Sequence, residues 1–172
     1  MFLSVKELEL RKVRFDKQYE PGQLDFTGEV VEQVSPLHVT GFAELLEESG
    51  GQLHVSGSYT VEMVAQCDRC LARTPLPLKA TFDLYYRPAS DVPQEEEVEI
   101  DAGEAEIGFY EDGLELEEIL QEQVLLALPM QRVCSETCKG ICPSCGANWN
   151  ETTCECKPEV DDRWGALRSL KL

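Results

Sequence analysis

Eight cysteines constrain this chain more than any other feature: Cys67 and Cys70 in the motif CDRC, and Cys134, Cys138, Cys142, Cys145, Cys154 and Cys156 crowded near the C-terminal end. That count permits two four-thiolate metal sites or a disulfide framework, and the redox compartment decides between them. In MFLSVKELELRK charges begin at Lys6, too early for the apolar core of a secretory signal. No apolar run approaches the ~20 residues of a membrane span. The chain is therefore expected to be cytoplasmic, with no membrane partner, where thiols stay reduced and clustered cysteines bind metal.

Spacing then groups the ligands. In Cys142-Pro143-Ser144-Cys145-Gly146 the proline stiffens a turn and the glycine lets the backbone curl, so that amide groups point at sulfur and two thiolates reach one ion. Cys154 and Cys156 return after a Gly- and Asn-rich loop, which makes Cys142, Cys145, Cys154 and Cys156 site 1, a tetrahedral Zn2+ site. Cys134 and Cys138, stacked if their segment is a helical turn, need partners, and Cys67 and Cys70 complete site 2 by counting. An alternative grouping puts Cys134, Cys138, Cys142 and Cys145 on one ion and leaves CDRC as reduced thiols or a redox pair. Spacing alone does not fix the connectivity.

Two sharper readings compete. Cys138, Cys142 and Cys145 match the three-cysteine pattern of radical iron–sulfur enzymes, but only 27 residues follow Cys145, too few for the barrel such enzymes need. CDRC as a redox dithiol lacks a surrounding βαβ pattern, and Asp68 opposes ionisation of Cys67. Four sulfurs per ion leave no open coordination position, so the sites read as structural.

Charge is local. The chain carries a net −18, and the stretch from Asp91 to Glu122 holds fourteen acidic residues with no Lys or Arg. Glu95, Glu96, Glu97, Glu99, Asp101, Glu104 and Glu106 form its aperiodic part, which is either a solvated linker or a docking surface for a basic protein. Such acidity disfavours a general grip on nucleic acid. Lys6, Arg11, Lys12, Arg14 and Lys17 are diluted by Glu7, Glu9 and Asp16.

Residues 24–47, 52–66 and 75–87 alternate apolar and polar side chains and are rich in Val, Thr, Tyr and Phe, which predicts strands, with a hairpin at Ser49-Gly50-Gly51. Residues 113–128 place Leu116, Ile119, Leu120, Val124, Ala127 and Leu128 at helical spacing, with Asp112 and Glu115 at the start and Pro129 at the end. A second short helix is expected in DDRWGALRSLKL. The expected fold is α+β: an antiparallel β-barrel or sandwich-like sheet covered by a helix, with a small C-terminal zinc-bound lobe. The divisions are a β domain over 1–88, an acidic arm over 89–112, the helix over 113–129 and the cysteine-rich lobe over 130–172. His38 and His54 fall in strand patterns, and no nucleophile elbow or phosphate loop occurs, so neither an enzyme nor a small-molecule substrate is expected.

CDRC with Leu71 between strand patterns, an acidic segment, the helix ending QEQVLLALPM, CKGICPSCGANWN over 138–150, and Asp162-Arg163-Trp164 before a terminal helix together resemble the bacterial YceD family. The detailed resemblance covers about residues 50–172. It implies a non-enzymatic part in making the large ribosomal subunit, so that its ribosomal RNA accumulates. It also implies a partner that is a basic ribosomal protein or the assembling large subunit, because the family's gene commonly neighbours that of a small basic zinc-binding ribosomal protein. Members keep different numbers of C-terminal cysteines. A zinc-ribbon RNA-binding module, using Lys139, Lys157, Arg163, Arg168 and Lys171, is the less favoured alternative, and a thiol redox or iron–sulfur protein comes after it.

Overall fold

A period of two in the apolar residues builds the larger of two units, made of residues 1–65 and 75–130; residues 66–74 and 131–172 make the smaller. The computed structural model describes residues 1–26, 31–47, 49–91 and 107–156. The elements are β1 (Phe2–Ser4), α1 (Val5–Leu8), β2 (Val13–Tyr19), β3 (Val31–Gln33), β4 (Leu37–Leu45), β5 (Leu53–Gln66), β6 (Arg73–Pro88), β7 (Ile107–Tyr110), β8 (Gly113–Glu115) and α2 (Leu116–Leu126). Six strands form one sheet in the order β2-β4-β5-β6-β7, with β3 pairing β5, while β1 pairs β8 separately.

The hairpin at Ser49-Gly50-Gly51 joins β4 to β5, whose register runs from His38 opposite Thr60 to Leu45 opposite Leu53. Gly50 and Gly51 supply positive φ at its tip. The strand predicted over 24–47 is broken, because Pro36 has no N–H to donate and Ser35 bends the chain there. The Ser35 hydroxyl instead accepts from the Glu62 amide at 2.8 Å. One edge of β5 is thus lined by β3 and then β4.

Among the described residues the sheet does not close into a barrel. Its ends are β2 and β7, and β7 runs parallel to β6, with Tyr85 opposite Ile107. Short turns predict only antiparallel neighbours, but the connection over 89–106 is long enough to permit a parallel pair. The inner face is covered by α2, whose Leu116, Ile119, Leu120 and Val124 are buried in one cluster with Leu37, Val39, Leu53, Val55, Tyr59 and Met63. That helix takes the place a closing strand would need, giving a mixed, mostly antiparallel α+β arrangement. The helix begins at the residue after Glu115, whose side chain makes no capping bond. The Leu116 amide is satisfied by the Met1 carbonyl at 3.0 Å.

Two contacts set how the layers meet. Gly41 faces Gly57 across β4 and β5. A Cβ on Gly41 would lie 2.7 Å from the Phe15 ring and 2.3 Å from the Ser56 carbonyl oxygen, and one on Gly57 would lie 2.7 Å from the Phe82 ring. The missing side chains make room for the two aromatic rings. Tyr59, buried on β5, donates its hydroxyl to the Gln123 carbonyl of α2 at 2.7 Å, and burial pushes its phenol pKa up, keeping the proton in place.

The smaller unit has no helix among the described residues; the predicted terminal helix and Glu95 to Glu106 lie outside them. Its core is Cys67, Cys70 and Cys138 with Ala72, Val133 and Ile141 packed around them.

Replacing Gly41 with Ala should lower stability by about 1–3 kcal/mol through overpacking, whereas Ala normally strengthens a strand. Urea denaturation checks the sign. Tyr59→Phe should cost about 0.5–1.5 kcal/mol, the worth of one neutral hydrogen bond, read as a lower urea midpoint with an unchanged slope.

Candidate metal centre

The two CxxC motifs fold into the same loop. In the first, the Cys67 amide donates to the Ala72 carbonyl at 2.8 Å and the Leu71 amide to the Cys67 carbonyl at 2.9 Å; in the second, the Cys142 amide donates to Ala147 at 2.8 Å and the Gly146 amide to Cys142 at 2.9 Å. The residue after the second cysteine has positive φ in both, +62° at Leu71 and +74° at Gly146. Such a curl aims successive amides at the first sulfur. Burial pushes the Cys67 thiol up, but the amides of Cys134, Cys70 and Arg69 hold it down to about 6. The amides of Cys145 and Ser144 hold Cys142 at about 6 against burial. The Asp68 carboxylate accepts from the Arg132 amide at 2.6 Å, while its own amide donates to the Arg132 carbonyl at 2.7 Å.

The thiols converge in two groups. Cys67, Cys70, Cys134 and Cys138 form one, and Cys142, Cys145, Cys154 and Cys156 the other; within each, all sulfurs lie within 4.8 Å of one another. Cys134, Cys138, Cys142 and Cys145 are not the set brought together. In the first group the Cys67 and Cys138 sulfurs are 3.9 Å apart and those of Cys70 and Cys134 3.6 Å. A tetrahedral ion with bonds of about 2.3 Å to sulfur sets its ligands about 3.8 Å apart, so the donors fit one zinc-sized ion. All eight thiols are free of disulfides. The groups differ in exposure. Cys67, Cys70 and Cys138 are buried in one, whereas only Cys142 is buried in the other. Cys134 and Cys138 are presented by a turn closed by the Cys138 amide on the Ser135 carbonyl at 3.1 Å, not by a helix.

Several supporting residues were not legible in the sequence. Gly140 has φ of +79°, and a Cβ there would meet the Arg69 carbonyl oxygen at 3.0 Å. The Arg69 guanidinium donates to the Cys138 carbonyl at 3.2 Å. A short antiparallel bridge pairs Ile141 with Asn148. Beyond it the Trp149 indole N–H donates to the Cys154 sulfur at 3.4 Å, and the Asn150 amide nitrogen to the Cys138 sulfur at 3.3 Å.

The histidines sit on the sheet of the larger unit. His38 is exposed and bonds Asp16 at 2.8 Å. His54 lies between Asp83 and Glu44, at 2.5 and 3.4 Å, and stacks on Tyr85 with ring centroids 4.7 Å apart. Lys12, 3.0 Å from Glu44 and over the Phe42 ring, holds the Glu44 carboxyl below its usual range. Every nitrogen of His54 is engaged, as a strand residue's would be. No described helix is long and apolar enough to cross a membrane.

The family model described as large ribosomal RNA subunit accumulation protein YceD matches residues 55–171. An uncharacterized protein, YlbN, of Bacillus subtilis is 28% identical over 97% of this chain and 92% of its own length. A large ribosomal RNA subunit accumulation protein YCED homolog 1, chloroplastic, of Zea mays is 27% identical over 63% of this chain and 45% of its own length. The uncharacterized protein Mb2951c of Mycobacterium bovis is 30% identical over 66% of this chain and 53% of its own length. No solved structure matches the chain.

Leu71 is strained where Gly146 is not, since left-handed backbone costs an L-residue roughly 1–2 kcal/mol. Leu71→Gly should therefore leave the smaller unit as stable as before or raise its stability by up to about 1 kcal/mol, after glycine's added unfolded-state entropy. Gly140→Ala should lower it by about 1–2 kcal/mol. Denaturation of the two variants beside the parent chain decides both signs.

Proposed function

Because the chain belongs to the YceD family of large ribosomal RNA subunit accumulation proteins, we propose that it is a non-enzymatic factor in assembly of the large ribosomal subunit, acting in the cytoplasm by binding a protein of that subunit or its precursor particle. The observation that carries this reading is the match over residues 55–171, which spans both CxxC motifs. The relative of Zea mays bears a name describing accumulation of large-subunit ribosomal RNA, and the same role is extended here to this chain.

The smaller unit takes a structural part in this reading. Each four-thiolate group would hold one Zn2+, with Cys142, Cys145, Cys154 and Cys156 on one ion and Cys67, Cys70, Cys134 and Cys138 on the other. A closed four-sulfur shell supplies cross-linking and charge neutralisation, with no position for a substrate. The sulfur separations of 3.6 and 3.9 Å support this. The acidic segment, with Glu95, Glu96, Glu97, Glu99, Asp101, Glu104 and Glu106, would dock a basic ribosomal protein by charge complementarity.

Elemental analysis of the purified full chain should find two zinc ions per chain and a colourless protein; one ion, or a coloured iron protein, overturns the metal assignment. Depleting the protein from its host should lower large-subunit ribosomal RNA relative to small-subunit RNA, and equal loss of both would sink the assembly role. Captured from cells, the full chain should bring down a basic large-subunit protein at low salt and lose it at high salt, since exposed charge pairs are screened. Capture that ignores salt overturns the acidic docking surface, and capture of ribosomal RNA alone moves the reading to direct RNA binding.

A further inference from the structure

Trp149 and Asn150 are neighbours in sequence, yet each reaches a sulfur of a different group. The Trp149 indole donates to Cys154, and the Asn150 side-chain amide donates to Cys138. Both residues lie on the stretch between Cys145 and Cys154, inside the loop that one thiolate group closes. Asn150 is held on both sides. Its Oδ1 accepts from the Lys139 amide at 2.9 Å, and its backbone amide and Nδ2 donate to the Asn148 Oδ1 at 3.0 and 2.9 Å. The Trp149 amide donates to the Gly140 carbonyl at 2.9 Å, two residues from Cys138 and two from Cys142.

We infer that the two thiolate groups bind metal cooperatively and that Asn150 is the positioning residue that couples them. This rests on the metal assignment above. A metal on Cys138 fixes that sulfur as a thiolate, and an N–H donor bonds a thiolate more strongly than a thiol. The fixed sulfur orients Asn150, and through the Lys139 and Asn148 bonds it sets the turn that carries Trp149 toward Cys154. The ordering needed by the second ion is then already complete, so it binds more tightly. Reciprocity follows: the ion on Cys142, Cys145, Cys154 and Cys156 strengthens binding at Cys67, Cys70, Cys134 and Cys138 by the same factor. Residues that orient metal ligands from outside the coordination shell change affinity by about 10- to 100-fold when removed, which sets the size of the coupling.

Native mass spectrometry of the full chain titrated with zinc counts chains with zero, one and two ions. Two independent sites, equal or unequal, leave at least about half of the chains with one ion at half saturation, whereas a coupling of about 10-fold lowers that share, to about a quarter where the two sites have equal affinity. The parent chain should show the depleted one-ion species. Asn150→Ala should still take two ions but return the one-ion share to about half or above. Asn150→Asp keeps the acceptor for Lys139 and loses the donor to Cys138, so it should behave like Ala; retained cooperativity in Asp would assign the effect to the Lys139 bond and overturn this role. A one-ion share that Asn150→Ala does not raise above the parent's also overturns it. A chain that takes no zinc defeats the metal assignment itself, while two ions bound independently defeat only the coupling.

Discussion

Thiolates repel one another, so four of them within 4.8 Å of each other form a stable group only when a proton or a cation shares the charge. In this protein that constraint falls on the core of the smaller unit, where Cys67, Cys70 and Cys138 are buried with few other apolar residues around them. The CxxC loops answer with aimed amides that pull Cys67 and Cys142 down to about 6, while Cys70, despite the Ala72 amide, is pushed to about 12 by burial and the neighbouring thiols, and Cys156 to about 12 by Cys145 and burial. Each group therefore contains at least one sulfur whose pKa is held low and at least one whose pKa is pushed up. A metal ion would meet that demand, and among the described residues few other apolar side chains pack in this unit. The sulfurs of Cys70 and Cys134 come from positions 64 residues apart, so such a cross-link removes much of the unfolded chain's freedom.

The larger unit depends on ordinary apolar burial, shaped by two exclusions. The Gly41 and Gly57 pair admits the Phe15 and Phe82 rings to the inner face, and α2 covers the same face with Leu116, Leu120 and Val124 fully buried. Tyr59 and Tyr19 join the layers through directed bonds, to the Gln123 carbonyl and the Glu117 carboxylate of α2. Because a helix supplies the cover, the edges β2 and β7 have no need to meet.

The parts of this architecture written in local periodicity were readable from the sequence: the long strands, the Gly50-Gly51 hairpin and the apolar stripe of α2. Three-residue strands such as β1 and β8 carry no period, and their pairing of Leu3 with Leu114 is a contact over more than a hundred residues. The parallel β6 and β7 pair was hidden for a similar reason, since nothing in IGFY states a direction. Cysteine spacing limited the groupings to a few, but the choice among them is a matter of distance. Asn150 and Trp149 lie within the motif CKGICPSCGANWN, but a side-chain donor to sulfur leaves no mark in composition or spacing.

The smaller unit is assembled from residues 66–74 and 131–172, with much of the larger unit's chain lying between them. Neither unit is a continuous stretch, and a fragment beginning at residue 131 keeps Cys134 and Cys138 while losing both of their partners from CDRC. The same interleaving has a consequence in time. At synthesis rates of about 5–20 residues per second, Cys70 leaves the ribosome roughly 3 to 13 seconds before Cys134, 64 positions later. For that interval a dithiol waits without its partners, exposed to any oxidant or stray metal, on a chain still attached to the machine that its family serves.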